Sequence, residues 1–156
     1  MHLDVECLPS NVRGTVAIGD VTAVSIDTEG RAGNPYPPGK VRVNGSYWPT
    51  DIGAADAVLT WAHRNRFTLR ASGGIIQQDA GDQGGAEGGY RVEILLDGVV
   101  EAARTVEGII GTTFTYTLAQ NSADDPGGAK AISFRITPVN RSLEGRPRTT
   151  DPFSMG

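Results

Sequence analysis

His63 is the side chain in this 156-residue sequence best suited to moving a proton, and Ser46, Asp51 and Asp56 precede it closely enough to suggest a nucleophile–base–carboxylate set. Nothing in the spacing supports that geometry, and no nucleophile-elbow or similar motif surrounds Ser46. His63 is therefore expected to be a partly buried residue bonded to a loop. Its neighbours Arg64 and Arg66 are expected to hold carbonyls or carboxylates at a strand end, with Asp51 and Asp56 as candidate acids. Asp79, Asp82 and Glu87 offer oxygen ligands for Ca²⁺ but lack the regular spacing of a calcium loop, and are expected as solvated loop acids. One cysteine, Cys7, and two histidines fall short of the ligands a zinc site needs. The run Gly84-Gly85-Ala86-Glu87-Gly88-Gly89 is followed by neither Lys-Ser/Thr nor a helix, so it is not a phosphate cradle. The expectation is a non-enzyme with no catalytic residue, metal or cofactor. The best candidates for chemistry of another kind, binding, are the adjacent aromatics Tyr47-Trp48, since aromatics anchor interfaces. Tyr36, Ile75 and Ile76 complete the candidate interaction surface. The competing expectation is that Tyr47 or Trp48 caps an open end of the core.

The elements that must position these residues are strands. Glycine is high at 21, proline counts 9 and aromatics only 6%, a composition that favours turns and short strands over long helices. The net charge of −4 gives no basic footprint for nucleic acid or an anionic membrane. No apolar run approaches the roughly 20 residues of a membrane helix, and the acidic start Met1–Glu6 is not a secretory signal. A lone cysteine forms no internal disulfide, so stability must come from burial and strand pairing, and synthesis in a reducing cytoplasm fits.

Ala57–Asn65 is the clearest strand and the organising element. Leu59, Trp61 and His63 fall on one face, Val58, Thr60 and Ala62 on the other. Upstream, Lys40–Asn44 alternates with Val41 and Val43 in phase. Downstream, Tyr90, Val92, Ile94 and Leu96 are in phase, Asp97-Gly98 is a hairpin turn, and Val99–Val106 returns. Thr112–Leu118 is β-branched and aromatic, with Phe114 and Tyr116 on one face. Asn121–Gly128 reads as a polar turn. Ala131–Val139 places Ile132, Phe134 and Ile136 in phase, with Pro138 marking an edge or strand end. Arg146–Phe153 adds an edge strand, and Met155-Gly156 is expected to fray. The predicted core is Trp61, Tyr90, Val92, Ile94, Phe114, Tyr116, Phe134 and Ile136. Residues 71–89 hold seven glycines and three acids around Ile75-Ile76, the composition of a long functional or mobile loop.

The N-terminal part is a separate matter. Val12–Ile18 and Val21–Ile26 read as strands, and Pro35, Pro37 and Pro38 make a stiff, extended connector. The boundary is placed there, giving an extension over 1–37 and a main domain over 38–156. Val24–Arg31 echoes Pro138–Arg146: each is a strand tail, a polar turn and Gly-Arg. Residues 12–37 thus look like the last strands of a second, incomplete domain, able to pack on the main one or to complete a partner's sheet by strand addition.

From Pro38 to about Thr150 the order of signals resembles a fibronectin type III domain. Lys40–Val43 stands for the opening strand and Leu59-Thr60-Trp61 for the second. Tyr90–Ile94 stands for the third, Thr112–Leu118 for the fifth and Phe134–Asn140 for the penultimate. The longer run Leu59–Arg66, with Val41-Arg42-Val43-Asn44-Gly45 upstream and Gly111–Thr117 downstream, resembles domains of tail-tip and host-specificity proteins of siphophages and prophages. The resemblance implies an all-β, fibronectin type III-like (immunoglobulin-like) β-sandwich with an N-terminal β-hairpin-like extension. It implies a structural virion protein of the tail tip or baseplate, made in the host cytoplasm. Its expected partners are the hub, the fibre or neighbouring copies, with three- or six-fold symmetry and no nucleic acid or membrane insertion. The alternative is a host-receptor or carbohydrate-binding module in which Tyr47, Trp48 and the 71–89 loop contact the cell surface.

Overall fold

The structure, a computed structural model, describes residues 33–66 and 84–156 in full and, within residues 1–32, the backbone of four short strands. The chain divides into two compact units, Met1–Gly33 and Asn34–Gly156. In the first, β1 (His2–Val5) pairs antiparallel with β4 (Val24–Asp27), with Leu3 opposite Ile26 and Val5 opposite Val24. Between them β2 (Ser10–Asn11) and β3 (Gly14–Thr15) form a minimal hairpin. Most of the strand expected at Val12–Ile18, together with Cys7 and Thr28–Arg31, lies outside the described residues.

The second unit begins before the expected boundary, and the proline run belongs to it. Pro35 and Pro38 are buried. A methyl group at Gly145 would collide with the Pro35 carbonyl and the Pro138 ring, so this run packs on the body of the unit rather than hanging from it as a connector.

Two antiparallel sheets make up the second unit. The smaller is ordered β10 (Thr113–Tyr116), β6 (Ala57–Ala62), β5 (Gly39–Val43). The larger is built on β7 (Gly89–Leu96) and β11 (Ile132–Asn140), whose long register sets Phe134 opposite Ile94 and Ile136 opposite Val92. The short strands β8 (Val99–Val100) and β9 (Val106–Ile109) border β7, and β12 (Leu143–Glu144) and β13 (Arg148–Thr149) border β11. Asp97 and Gly98, both at positive φ, make the tight turn from β7 to β8. The return expected over Val99–Val106 is broken by a 3-10 turn at Ala102–Arg104, so only its ends pair with β7.

Period-two alternation decides which side chains face inward. Val43, Leu59, Val92, Ile94, Phe134, Ile136 and Tyr116 are fully buried in one core that takes side chains from both sheets. Aromatic edges close the space between the sheets: Trp61 meets Tyr90 at 5.4 Å, and Phe134 meets both Phe114 and Tyr116. Phe114 is only partly buried, because β10 is an edge strand of the smaller sheet.

Two expectations are corrected. The first half of the expected polar turn Asn121–Gly128 is the end of a helix, α1 (Leu118–Asp124), and the turn is confined to Asp125–Gly128, where Gly128 N donates to the Asp125 carbonyl. Thr117 accepts from the Gln120 backbone and the Gln120 side chain accepts from the Thr117 backbone, a reciprocal capping box. Met155 does not fray: its side chain is 2% exposed in the core, and its carbonyl accepts from Asn121 Nδ2 at 2.9 Å. Pro138 sits near the end of the central strand β11, its carbonyl accepting from Gly145 N.

Candidate functional site

The residues of the imagined triad are held apart by other bonds. His63 is 8% exposed at the end of β6, its Nδ1 lies 3.1 Å from the Tyr90 hydroxyl, and its ring stacks on the Tyr90 ring. Asp51 Oδ1 accepts from Gly53 N, and Ser46 Oγ accepts from Trp48 N. Asp56 Oδ1 accepts from Leu118 N, which ties it to the start of α1 rather than to an arginine. No Ser–His–Asp contact forms among the described residues.

Arg66 finds a carboxylate that the sequence reading assigned to solvent. Glu87 Oε2 lies 2.9 Å from Arg66 Nε, and Glu87 Oε1 accepts from Arg66 N. The Glu87 side chain is 2% exposed, so it is a buried partner and not a solvated loop acid. The pair joins the two chain ends that flank residues 67–83. Asp79, Asp82, Ile75 and Ile76 lie outside the described residues. Among the described residues no cluster of three His, Cys, Asp or Glu side chains could hold a metal ion.

The outer face of the larger sheet carries a charge ladder. Arg135 and Glu93 stand directly opposite across β11 and β7 and bond through two contacts of 2.7 Å. Arg91 bonds Glu144 in the same forked way and approaches Glu93 at 3.7 Å. The Arg135 guanidinium holds the Glu93 carboxyl below its ordinary value, against the opposing effect of burial, and Arg91 does the same for Glu144. At the other end of the unit Arg104 grips Asp124 of α1, whose carboxylate also accepts from the Tyr116 hydroxyl. Burial, then that bond, pushes the Tyr116 phenol up. These groups fix strands and a helix to one another.

The aromatic pair is presented differently. Val43 and Ser46 exchange both backbone hydrogen bonds at 2.9 Å, with Asn44 and Gly45 at φ of 47° and 82°, so the chain after β5 reverses in a tight turn. The Asn44 side chain accepts from Val58 N and donates to the Asp56 carbonyl, pinning the turn to β6. Arg42 donates to the Tyr47 hydroxyl and lies over the Tyr47 ring. Pro49 is buried, and the Thr50 carbonyl accepts from Ser154 N. Tyr47 is thereby half-buried, while Trp48 between these anchors remains 64% exposed. Tyr36 is 43% exposed.

Sequence reasoning missed Arg148 and Asp151, which line a groove with Trp48. No local signal joins positions so far apart. It also missed α1, although Thr117-Leu118-Ala119-Gln120 carries the capping-box pattern.

The chain matches no family model, and no curated protein is similar to it at a significant level. No helix among the described residues is long and apolar enough to cross a membrane.

Proposed function

We propose that the chain is a structural protein of a bacteriophage tail tip or baseplate, a fibronectin type III-like sandwich that braces or decorates the hub or fibre through protein–protein contacts. The observation that carries this reading is the use made of Leu59–Arg66, the run with the phage resemblance. Leu59 and Trp61 enter the core, His63 lies on Tyr90, and Arg66 is clamped by Glu87. Four residues of the run are thus engaged within the domain itself, which suits a structural part. The strand order supports the fold half of the proposal. The first, second and fifth strands of the sequence pattern (β5, β6, β10) share one sheet, and the third and penultimate (β7, β11) share the other. Immunoglobulin-like sandwiches divide their strands in this way. Fold alone does not carry function, so the role rests on the resemblance.

In this reading the protein is present in several copies under three- or six-fold symmetry, and the two-stranded pairing of β1 with β4 serves attachment by strand addition to a neighbour. Immunogold labelling of purified tailed particles from the source culture tests it. Label at the tail tip is expected. Particles that carry no label, while the chain is found free in the lysate, would refute the structural role.

A further inference from the structure

We propose that Trp48 and the polar grooves on either side of it form a carbohydrate-binding site, with the indole as a stacking platform and Arg148, Asp151, Thr50 and Asp51 as its hydrogen-bonding rim. The site does not depend on the tail-tip reading.

Trp48 is the most exposed aromatic ring among the described residues, and its backbone is anchored on both sides. It lines two adjoining grooves. One carries Arg148, Thr150 and Asp151; the other carries Asn44, Ser46, Thr50 and Asp51. Among the described residues no hydrogen bond or ion pair engages the Arg148 or Asp151 side chain, so both keep their full donor and acceptor capacity. Thr50 and Ser154 link the second groove to the C-terminal segment, so the two walls are fixed relative to each other. A rigid ring between fixed walls loses little entropy on binding.

The surroundings of the ring select the ligand class. The core of a protein–protein interface is depleted in charge and sets its aromatic anchors among other apolar groups. Here the other exposed large apolar residues, Tyr36, Val58, Val99, Val106, Ile110 and Leu143, line neither groove. Trp48 instead has the half-buried Tyr47 ring 5.7 Å away and Val41, Val43, Pro49 and Ile52 in the groove walls, and the rest of its surroundings are hydroxyls, carboxylates, an amide and a guanidinium. A ligand suited to it has one apolar face, to cover the indole, and a rim of hydroxyls that both donate and accept. A pyranose ring offers both. Asp151 and Asp51 accept from its hydroxyls, and Arg148 donates to them in a fork.

The test is a glycan array of neutral and acidic cell-surface oligosaccharides probed with the full chain, followed by titration calorimetry on the strongest glycan found. Saturable binding is expected. Trp48→Ala should weaken it about tenfold or more, Trp48→Phe should retain part of it, and Asp151→Asn or Arg148→Ala should weaken it severalfold. Trp48 lies outside the core, so all four variants should melt at the wild-type temperature. No saturable glycan, or binding indifferent to Trp48→Ala, would overturn the proposal. So would a protein partner whose binding is lost in Trp48→Ala while no glycan binds.

Discussion

Glu87 and Arg66 form a buried ion pair that ties the strand leaving Trp61 to the strand entering Tyr90. The two residues are separated by the whole glycine-rich stretch, yet their charged atoms lie 2.9 Å apart with Glu87 almost sealed from water. The Nε–Oε2 contact is poorly aligned for a hydrogen bond, so charge attraction and the bond from Arg66 N hold it. Bringing two distant points of a chain together costs entropy that rises slowly with their separation. The pair holds the ends on either side of residues 67–83 together.

Glu87 is the sealed member of the pair, and truncating it removes the carboxylate that Arg66 meets there. Glu87→Ala is expected to destabilise the second unit by ~3 kcal/mol. Urea unfolding measures this, and a double-mutant cycle with Arg66→Ala isolates the coupling. Additive single effects would show that the two residues do not act as a pair.

The charge ladder predicts acid sensitivity with a definite sign. Glu93, Glu144 and Asp124 have carboxyls held below their ordinary values by Arg135, Arg91 and Arg104. A carboxyl whose folded value is depressed stabilises the fold above its unfolded value, 4.5 for Glu93, and that stability is lost as pH falls through the folded value. Unfolding free energy should therefore be flat near neutrality and drop below about pH 4.5. Glu93→Gln should lower stability at neutral pH and make the acid-side slope shallower.

Gly145 sits where β12 turns beneath the proline run. A Cβ there would meet the Pro35 carbonyl and the Pro138 ring, and neither backbone nor ring can move aside easily. Gly145→Ala should cost ~1–3 kcal/mol. Gly111→Ala is the control, since a Cβ at Gly111 meets nothing within 4 Å. Equal melting temperatures for the two variants would show that the proline run does not pack there.

Thr117→Ala removes the hydroxyl that caps α1. The expected loss is ~1 kcal/mol. Because Asn121 of α1 holds the Met155 carbonyl, hydrogen exchange should speed up in α1 and at the C-terminal segment together. Faster exchange confined to α1 would mean that the helix and the C-terminus are not coupled.

Much of this architecture is written in alternation. The in-phase sets Tyr90/Val92/Ile94/Leu96 and Ile132/Phe134/Ile136 could only be strand faces, and all seven side chains are buried. The period of two requires nothing but local geometry, so sequence reveals it. Asp97-Gly98 is legible for the same reason: a type I′ hairpin turn needs two residues at positive φ, and Asp-Gly is a pair that accepts it. The helix α1 was legible too, through Thr117 and Gln120, but it follows directly on a run of β-formers whose pattern hides it.

What the sequence by itself determined is therefore the main strands β5, β6, β7, β10 and β11, their inward faces and the absence of a nucleophile-elbow motif. What only the tertiary structure decided is which distant residues meet. Glu87 reads as a loop acid until the fold brings it to Arg66. Met155 reads as a fraying end until Asn121 and the core hold it. Trp48 reads equally as a cap or a contact until its neighbours Arg148 and Asp151 arrive from the far end of the chain. Alternation is a property of each strand alone. Pairing of charges and the lining of a groove depend on register and sheet packing, which link positions that no local pattern connects.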